Sequence, residues 1–165
     1  MVRKIPFLLA ILGMSGGVAI AILFGVNEEM FKSRIKSGIE KNAKIQQIAE
    51  GPERAAKIAG ESDKNWRYYQ RFHFHATGIG AMMIGLLLFL MKVDAPSKLL
   101  TLSNYLISIG GFLYPFIWLF AGIYGPEMGR NEAKEAFAIF GYMGGVFLLG
   151  TLMSLYLTIR YPLKN

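Results

Sequence analysis

The 165-residue chain contains no cysteine, only two histidines, and no Asp, Glu, Lys or Arg inside any of its long apolar stretches. Without cysteine there can be no disulfide, no thiolate metal site, no covalently attached c-type haem and no thiol nucleophile. Without a charged residue inside the apolar stretches there is no acidic or basic path through hydrocarbon, which argues against a proton pump or ion-coupled carrier acting alone. Glycine-rich phosphate loops, internal repeats, low-complexity tracts and nucleophile–base pairs are also missing. The net charge of +7 would raise nucleic-acid binding in a soluble protein. In this chain the distribution of charge carries the information, and no nucleic-acid partner is expected.

What is present is apolar sequence in blocks. Hydrophobic residues make up 53% of the chain and mean hydropathy is +0.37. They gather into four stretches, 6–26, 72–91, 99–122 and 136–159. About 20 residues at 1.5 Å each cross roughly 30 Å of hydrocarbon, so each stretch is long enough to span a bilayer. Hydrocarbon offers no partner to backbone N–H and C=O groups, so the stretches should be helices. The expected fold is all-α: an integral membrane bundle of four transmembrane helices forming one domain over 1–165, with an extramembrane helical hairpin at 27–71.

The charges between the spans give an orientation. Arg3, Lys4, Lys92, Lys98, Arg160 and Lys164 lie on one side with Asp94 as the lone acid, whereas the third connection mixes Arg130 and Lys134 with Glu127, Glu132 and Glu135. The first connection holds ten basic and seven acidic residues, which weakens the positive-inside pattern without reversing it. Both termini are therefore expected on the cytoplasmic side of the cell's inner membrane, with 27–71 outside, in the periplasm of a Gram-negative cell. The first stretch follows Arg3-Lys4 as a secretory signal would. Its length and the lack of a small-x-small site before Asn27 make it an expected anchor instead.

In the hydrophilic stretch, apolar Met30, Phe31, Ile35, Ile39, Ile45 and Ile48 fall at helical spacing, so the first helix should continue outward until Gly51-Pro52 breaks it. A short helix from Glu53 to Ala59, ended by Gly60, and a second helix capped by Asp63 and leading into the membrane are expected next. This hairpin reads either as a solvated connector or as a docking surface for a partner subunit. Small residues recur every fourth position at Gly13, Gly17, Ala21 and Gly25, at Thr77, Ala81 and Gly85, and at Gly141 and Gly145. They predict close helix contacts, within the chain or with another subunit. Tyr114-Pro115 should kink the third helix.

The two histidines, His73 and His75, enter the second span in the run Arg71-Phe-His-Phe-His-Ala-Thr-Gly. Neutral imidazole there suits haem iron, copper or zinc. Residues two apart on a helix point roughly 200° from each other, so the pair is ill placed to grip one ion. The small stripes Thr77, Ala81, Gly85 below His73 and Gly78, Met82, Gly85 beside His75 would leave clearance for a flat macrocycle, although helix packing explains them equally. Each histidine is thus read as a cofactor or metal ligand, or as a hydrogen-bonded structural residue. Glu127, Glu132 and Glu135 offer a second metal reading with a histidine. For Glu132 and Glu135 the plainer role is to complement the start of the fourth helix.

The run from Arg71, continuing through Gly80 and Gly85 to Pro96 after a short turn, resembles the haem-ligating second helix of nitric oxide reductases and related haem-copper oxidases. It is also similar to short four-helix membrane proteins with a His-x-His motif of that type. The resemblance covers residues 71–122 and implies low-spin haem b with an axial histidine. His75 matches that ligand best by its distance to Pro96, and His73 is second. The catalytic subunits of that family carry further histidines in later helices, and this chain has none, so it cannot be a complete oxidase or reductase. Two functions follow as expectations: a small haem-b-associated subunit passing electrons to a partner, or a non-catalytic assembly subunit without a cofactor. Both expect the lipid bilayer and other membrane subunits, or further copies of this chain, as partners.

Overall fold

The computed structural model describes residues 4–164, which are helical almost throughout. Helix α1 runs Lys4–Lys41, α2 Ala43–Gln46, α3 Pro52–Leu90, α4 Ser97–Leu113, α5 Phe116–Met128, α6 Arg130–Ala136 and α7 Ala138–Arg160. Four of these stretches are long and apolar enough to cross a membrane: Lys4–Lys41, Pro52–Leu90, Ser97–Met128 (α4 and α5 together) and Ala138–Arg160. Only a minor share of the apolar windows of α1 and α7 is covered by protein, so bare Leu, Ile and Val side chains face outward. That is the pattern expected of a chain whose solvent is lipid, and the protein is a multi-pass membrane protein.

Each helix boundary has a local cause. At Asn27 the backbone leaves the helical region (φ −155°, ψ 73°), and the Asn27 side chain accepts a hydrogen bond from Met30 N at 3.0 Å. Asn27 thereby caps the outer half of α1 in the manner of an N-cap residue, with Glu28 and Glu29 in the first turn behind it. Gly51, with φ +156°, sits just inside the region that disfavours side chains, and Pro52 starts α3 at the position where a missing N–H costs nothing. Pro115 has no N–H for the Gly111 carbonyl. The break is local, because Tyr114 (φ −55°, ψ −44°) and Pro115 (φ −59°, ψ −25°) remain near the helical region. One span thus continues across the expected kink.

Several expectations are corrected. The first helix does not run on to Gly51-Pro52: α1 ends at Lys41, and Asn42 caps the separate short helix α2 by accepting from Lys44 N. Gly60 does not end a helix and Asp63 does not begin one, since α3 is continuous from Pro52 to Leu90. Nothing crowds Gly60, its neighbours are strong helix formers, and the roughly 1 kcal/mol cost of a helical glycine is too small to break the run. Separately, Phe137 (φ −108°, ψ 20°) divides α6 from α7, so the last span starts at Ala138. Glu135 then lies in the last turn of α6, where it cannot complement a helix start. Glu132, in the first turn of α6, can.

The small-residue stripes are corrected as well. A Cβ at Gly17 would lie 2.8 Å from Thr77 N, one at Gly80 2.8 Å from Met14 N, and one at Gly150 2.7 Å from Ile107 N, while Gly110 abuts the Phe147 backbone more closely still. These four positions let α1 meet α3 and α4 meet α7 backbone to backbone. Gly25, Gly85 and Gly145 have nothing within 4 Å. Spacing finds a stripe, but it does not say which neighbour the stripe faces.

Both ends of the chain lie at one end of the molecule. Asp94 N donates to Pro162 O at 2.8 Å and Lys164 N to Lys92 O at 2.7 Å, tying the tail to the α3–α4 turn through a Val93–Leu163 bridge. Pro6 and Phe7 border the same region as Leu90, Met91 and Lys164. Arg3 lies outside the described residues. At the other end, the outer halves of α1 and α3 close over Ile35, Ile39, Ile45 and Tyr69, while Met30 is exposed.

Replacing Gly150 with Leu should destabilise the protein by about 1–3 kcal/mol through forced separation of α4 and α7. Gly145→Leu, on the open side, should leave the melting temperature in detergent unchanged, and equal losses for both would contradict this packing.

Candidate functional site

The two histidines leave α3 in different directions. His73 meets α1: its Nδ1 is 2.8 Å from the Gly17 carbonyl oxygen, beside the close contact that Gly17 makes with Thr77. His75 turns toward α5, with its ring edge-on to Tyr114 at 5.5 Å and 5.9 Å from Trp118. Its Nδ1 is 2.8 Å from the Arg71 carbonyl oxygen. A carbonyl only accepts, so Nδ1 carries the hydrogen in both rings, and in the neutral form Nε2 keeps the lone pair. The same Nδ1–H contact to a carbonyl orients histidines that bind metal through Nε2.

Depth follows from register. Gly80 lies against Met14 and Thr77 against Gly17, which sets His73 opposite Ala21, about 9 Å short of Asn27 along the helix axis. The pair therefore sits somewhat inside the hairpin end of the apolar stretch, away from the end that holds the termini.

Around His75 the neighbours form a set that spacing alone did not reveal. The Arg71 guanidinium lies 4.9 Å from the Trp118 ring centre and 5.8 Å from that of Tyr68, and Tyr68 stacks on Trp118 at 5.8 Å. Arg71 pairs with no carboxylate among the described residues, whose ion pairs all involve other groups. The Trp118 indole Nε1 is sealed from solvent without an acceptor. A cation and a donor, neither matched by an anion or acceptor, thus adjoin the imidazole. The signal available in sequence was the i, i+4 spacing of Arg71 and His75; the approach of Trp118 was not legible.

The stripe beside His75 is open. Phe74 and Met82 are 65% and 53% exposed, and Gly78 and Gly85 have nothing within 4 Å. The stripe below His73 divides, because Thr77 packs on Gly17 and donates to the His73 carbonyl oxygen at 2.7 Å, while Ala81 and Gly85 face outward. Neither histidine lines the cavities of about 190, 310, 390 and 410 Å³, and a flat ligand on His75 would lie along the exposed face of α3.

Among the described residues no three His, Asp or Glu gather closely enough to hold a metal ion. The mixed histidine–glutamate site is therefore not assembled. Glu132 is committed to Lys44, Glu127 is exposed and offers its carbonyl oxygen to Asn42 Nδ2 at 2.8 Å, and Glu135 is exposed. These contacts belong to a polar clasp where the first connection meets the α5–α6 turn. Glu61, on α3, accepts from Arg130 Nε at 2.8 Å and from Lys64 Nζ at 3.1 Å. Gly38 abuts Pro126. Sequence reasoning missed the Glu61–Arg130 pair, which joins residues far apart in the chain.

No family model, curated protein or solved structure matches this chain. Its chemistry has to be read from its own groups.

Burial pushes the Glu61 carboxyl upward, but the hydrogen bonds and positive charge of Lys64 and Arg130 outweigh it and hold the group below its ordinary value of 4.5. A carboxylate depressed in the folded state stabilises the fold fully above that ordinary value, and the contribution is lost as pH falls through the lowered one. The melting temperature should therefore decline on acidification below about pH 4.5. In Glu61→Gln that decline should be shallower, and an unchanged acid limb would show that the clasp does not contribute.

Proposed function

We propose that this chain is a small subunit of a redox complex in the cell's inner membrane. It would present His75 Nε2 as an axial ligand to haem b held against the outer face of α3. Both termini and the 91–96 turn face the cytoplasm, where Lys92, Lys98, Arg160 and Lys164 outnumber Asp94. The 27–71 hairpin stands outside. An even number of crossings, with the basic excess at the end that holds the termini, supports this orientation.

The observation that carries the reading is the fixed tautomer of His75 beside an unpaired Arg71 and an open small-residue surface. Iron requires the lone pair that the Nδ1–H bond to the Arg71 carbonyl leaves on Nε2. The guanidinium one turn away has no carboxylate of its own, which suits the propionates of a haem. Gly78 and Gly85 present no side chain to the macrocycle plane. Bound haem b would supply one-electron transfer, here between quinol and a partner. His73 is the second candidate ligand, but its Nδ1–H already joins α3 to α1 at Gly17. One available imidazole would supply one ligand to such a group, and a second ligand would have to come from another chain.

A specific observation favours a second reading, that of an assembly subunit without a cofactor. The outer faces of α1 and α7 are long, apolar and unpartnered, as contact surfaces for other subunits would be.

A reduced-minus-oxidised spectrum of the protein purified from its native membrane separates the two. The redox reading expects a Soret and an α band that disappear in His75→Ala and persist in His73→Ala, the latter with stability lowered by about 1 kcal/mol. A colourless protein that co-purifies in fixed ratio with other membrane subunits would establish the scaffold instead.

A further inference from the structure

At the end that holds the termini, a cavity of about 310 Å³ opens between α1, the end of α3, α4 and the tail. One wall is apolar, made by Pro6, Phe7, Leu87 and Leu90. The opposite wall is a polar ladder on α4, where Ser97, Thr101 and Asn104 fall at successive turns and all border the cavity. From Ser97 to Asn104 the ladder is about 10 Å long. Lys164 stands at the mouth. Its ammonium reaches the Met91 carbonyl oxygen at 3.4 Å and pairs with no carboxylate among the described residues. The Ser97 and Thr101 hydroxyls line the cavity from its mouth inward, whereas Asn104 Oδ1 at the inner end is sealed from solvent and from any occupant.

An occupant that matches these walls has three properties. It carries negative charge for Lys164, hydroxyls that can exchange hydrogen bonds with Ser97 and Thr101, and hydrocarbon for the apolar wall. The surroundings favour the same sign, since Lys4, Lys92, Lys98 and Arg160 share this end with Asp94 as the only described acid. Basic pockets between membrane helices select anionic lipid headgroups.

We propose that this cavity is a binding site for one anionic phospholipid with a hydroxylated headgroup. The phosphate sits at Lys164, the headgroup hydroxyls meet Ser97 and Thr101 near the mouth, and the acyl chains leave along Pro6, Phe7 and Leu87. Choline headgroups lack both the net charge and the hydroxyl donor. The site lies at the opposite end of α3 from His75 and does not depend on haem.

Native mass spectrometry of the full chain in detergent, loaded with phosphatidylglycerol and phosphatidylcholine of identical acyl chains, tests this. One phosphatidylglycerol per chain should survive washing that strips phosphatidylcholine. Lys164→Ala and Thr101→Val should each weaken its retention by about tenfold. Lys164 is exposed, so its variant should melt with the parent in lipid-free detergent, which separates lost binding from lost folding. Equal retention of the two lipids, or parent-like retention by both variants, would overturn the proposal. So would stabilisation by glycerol phosphate alone at the concentration that suffices for phosphatidylglycerol, because the ligand would then be a free phosphate.

Discussion

Hydrocarbon neither donates nor accepts a hydrogen bond, and the interior of this protein is arranged around that fact. The hydroxyls of Thr77, Thr151 and Thr158 return to carbonyls one turn back on their own helices. Ser103 and Ser154, 3.0 Å apart, both reach the Gly150 carbonyl oxygen and so join α4 to α7 where the glycine has already brought the backbones together. His73 does the same between α3 and α1 through Gly17. Close approach and polar pairing are one device here: small residues remove the side chain, and the exposed carbonyl then serves as the acceptor that the bilayer cannot offer.

Against that background the exceptions carry the most information. Among the described residues three sealed side-chain polar atoms lack a partner: Asn65 Oδ1, Asn104 Oδ1 and Trp118 Nε1. Asn104 borders the cavity beside Lys164, and Trp118 adjoins Arg71 and His75. Asn65 borders a pocket of about 190 Å³ beneath the Glu61–Arg130 pair. Leaving such an atom bare costs about 1–3 kcal/mol. Arg71 and Lys164 are basic side chains with no carboxylate partner among the described residues, which is why anionic groups, a propionate in one place and a lipid phosphate in the other, figure in both functional readings.

Much of the architecture was legible before any coordinate. Uncharged blocks of membrane length, the helical run beyond Asn27 and the start of a helix at Pro52 each follow from a local rule, whereas the end of α1 at Lys41, ten residues before Gly51-Pro52, does not. Legibility failed where several weak preferences compete. Gly60 and Asp63 favoured a boundary that helix propagation overrode. Four-residue stripes named Gly17 correctly and passed over Gly80, Gly110 and Gly150. The hydrogen-bonded tautomers of the histidines, the stacking of Arg71 on Trp118 and the Glu61–Arg130 pair depend on side chains from separate helices and had no sequence signature.

The sequence by itself determined the solvent, the number of crossings and the chemical types available for function, because composition and block length decide whether a segment can leave water. Tertiary structure alone decided what those types can do. A histidine on a helix is only a direction until its neighbours are known. Packing against Gly17 makes His73 a helix-to-helix bond, and an open face beside Arg71 leaves the Nε2 of His75 available to a ligand.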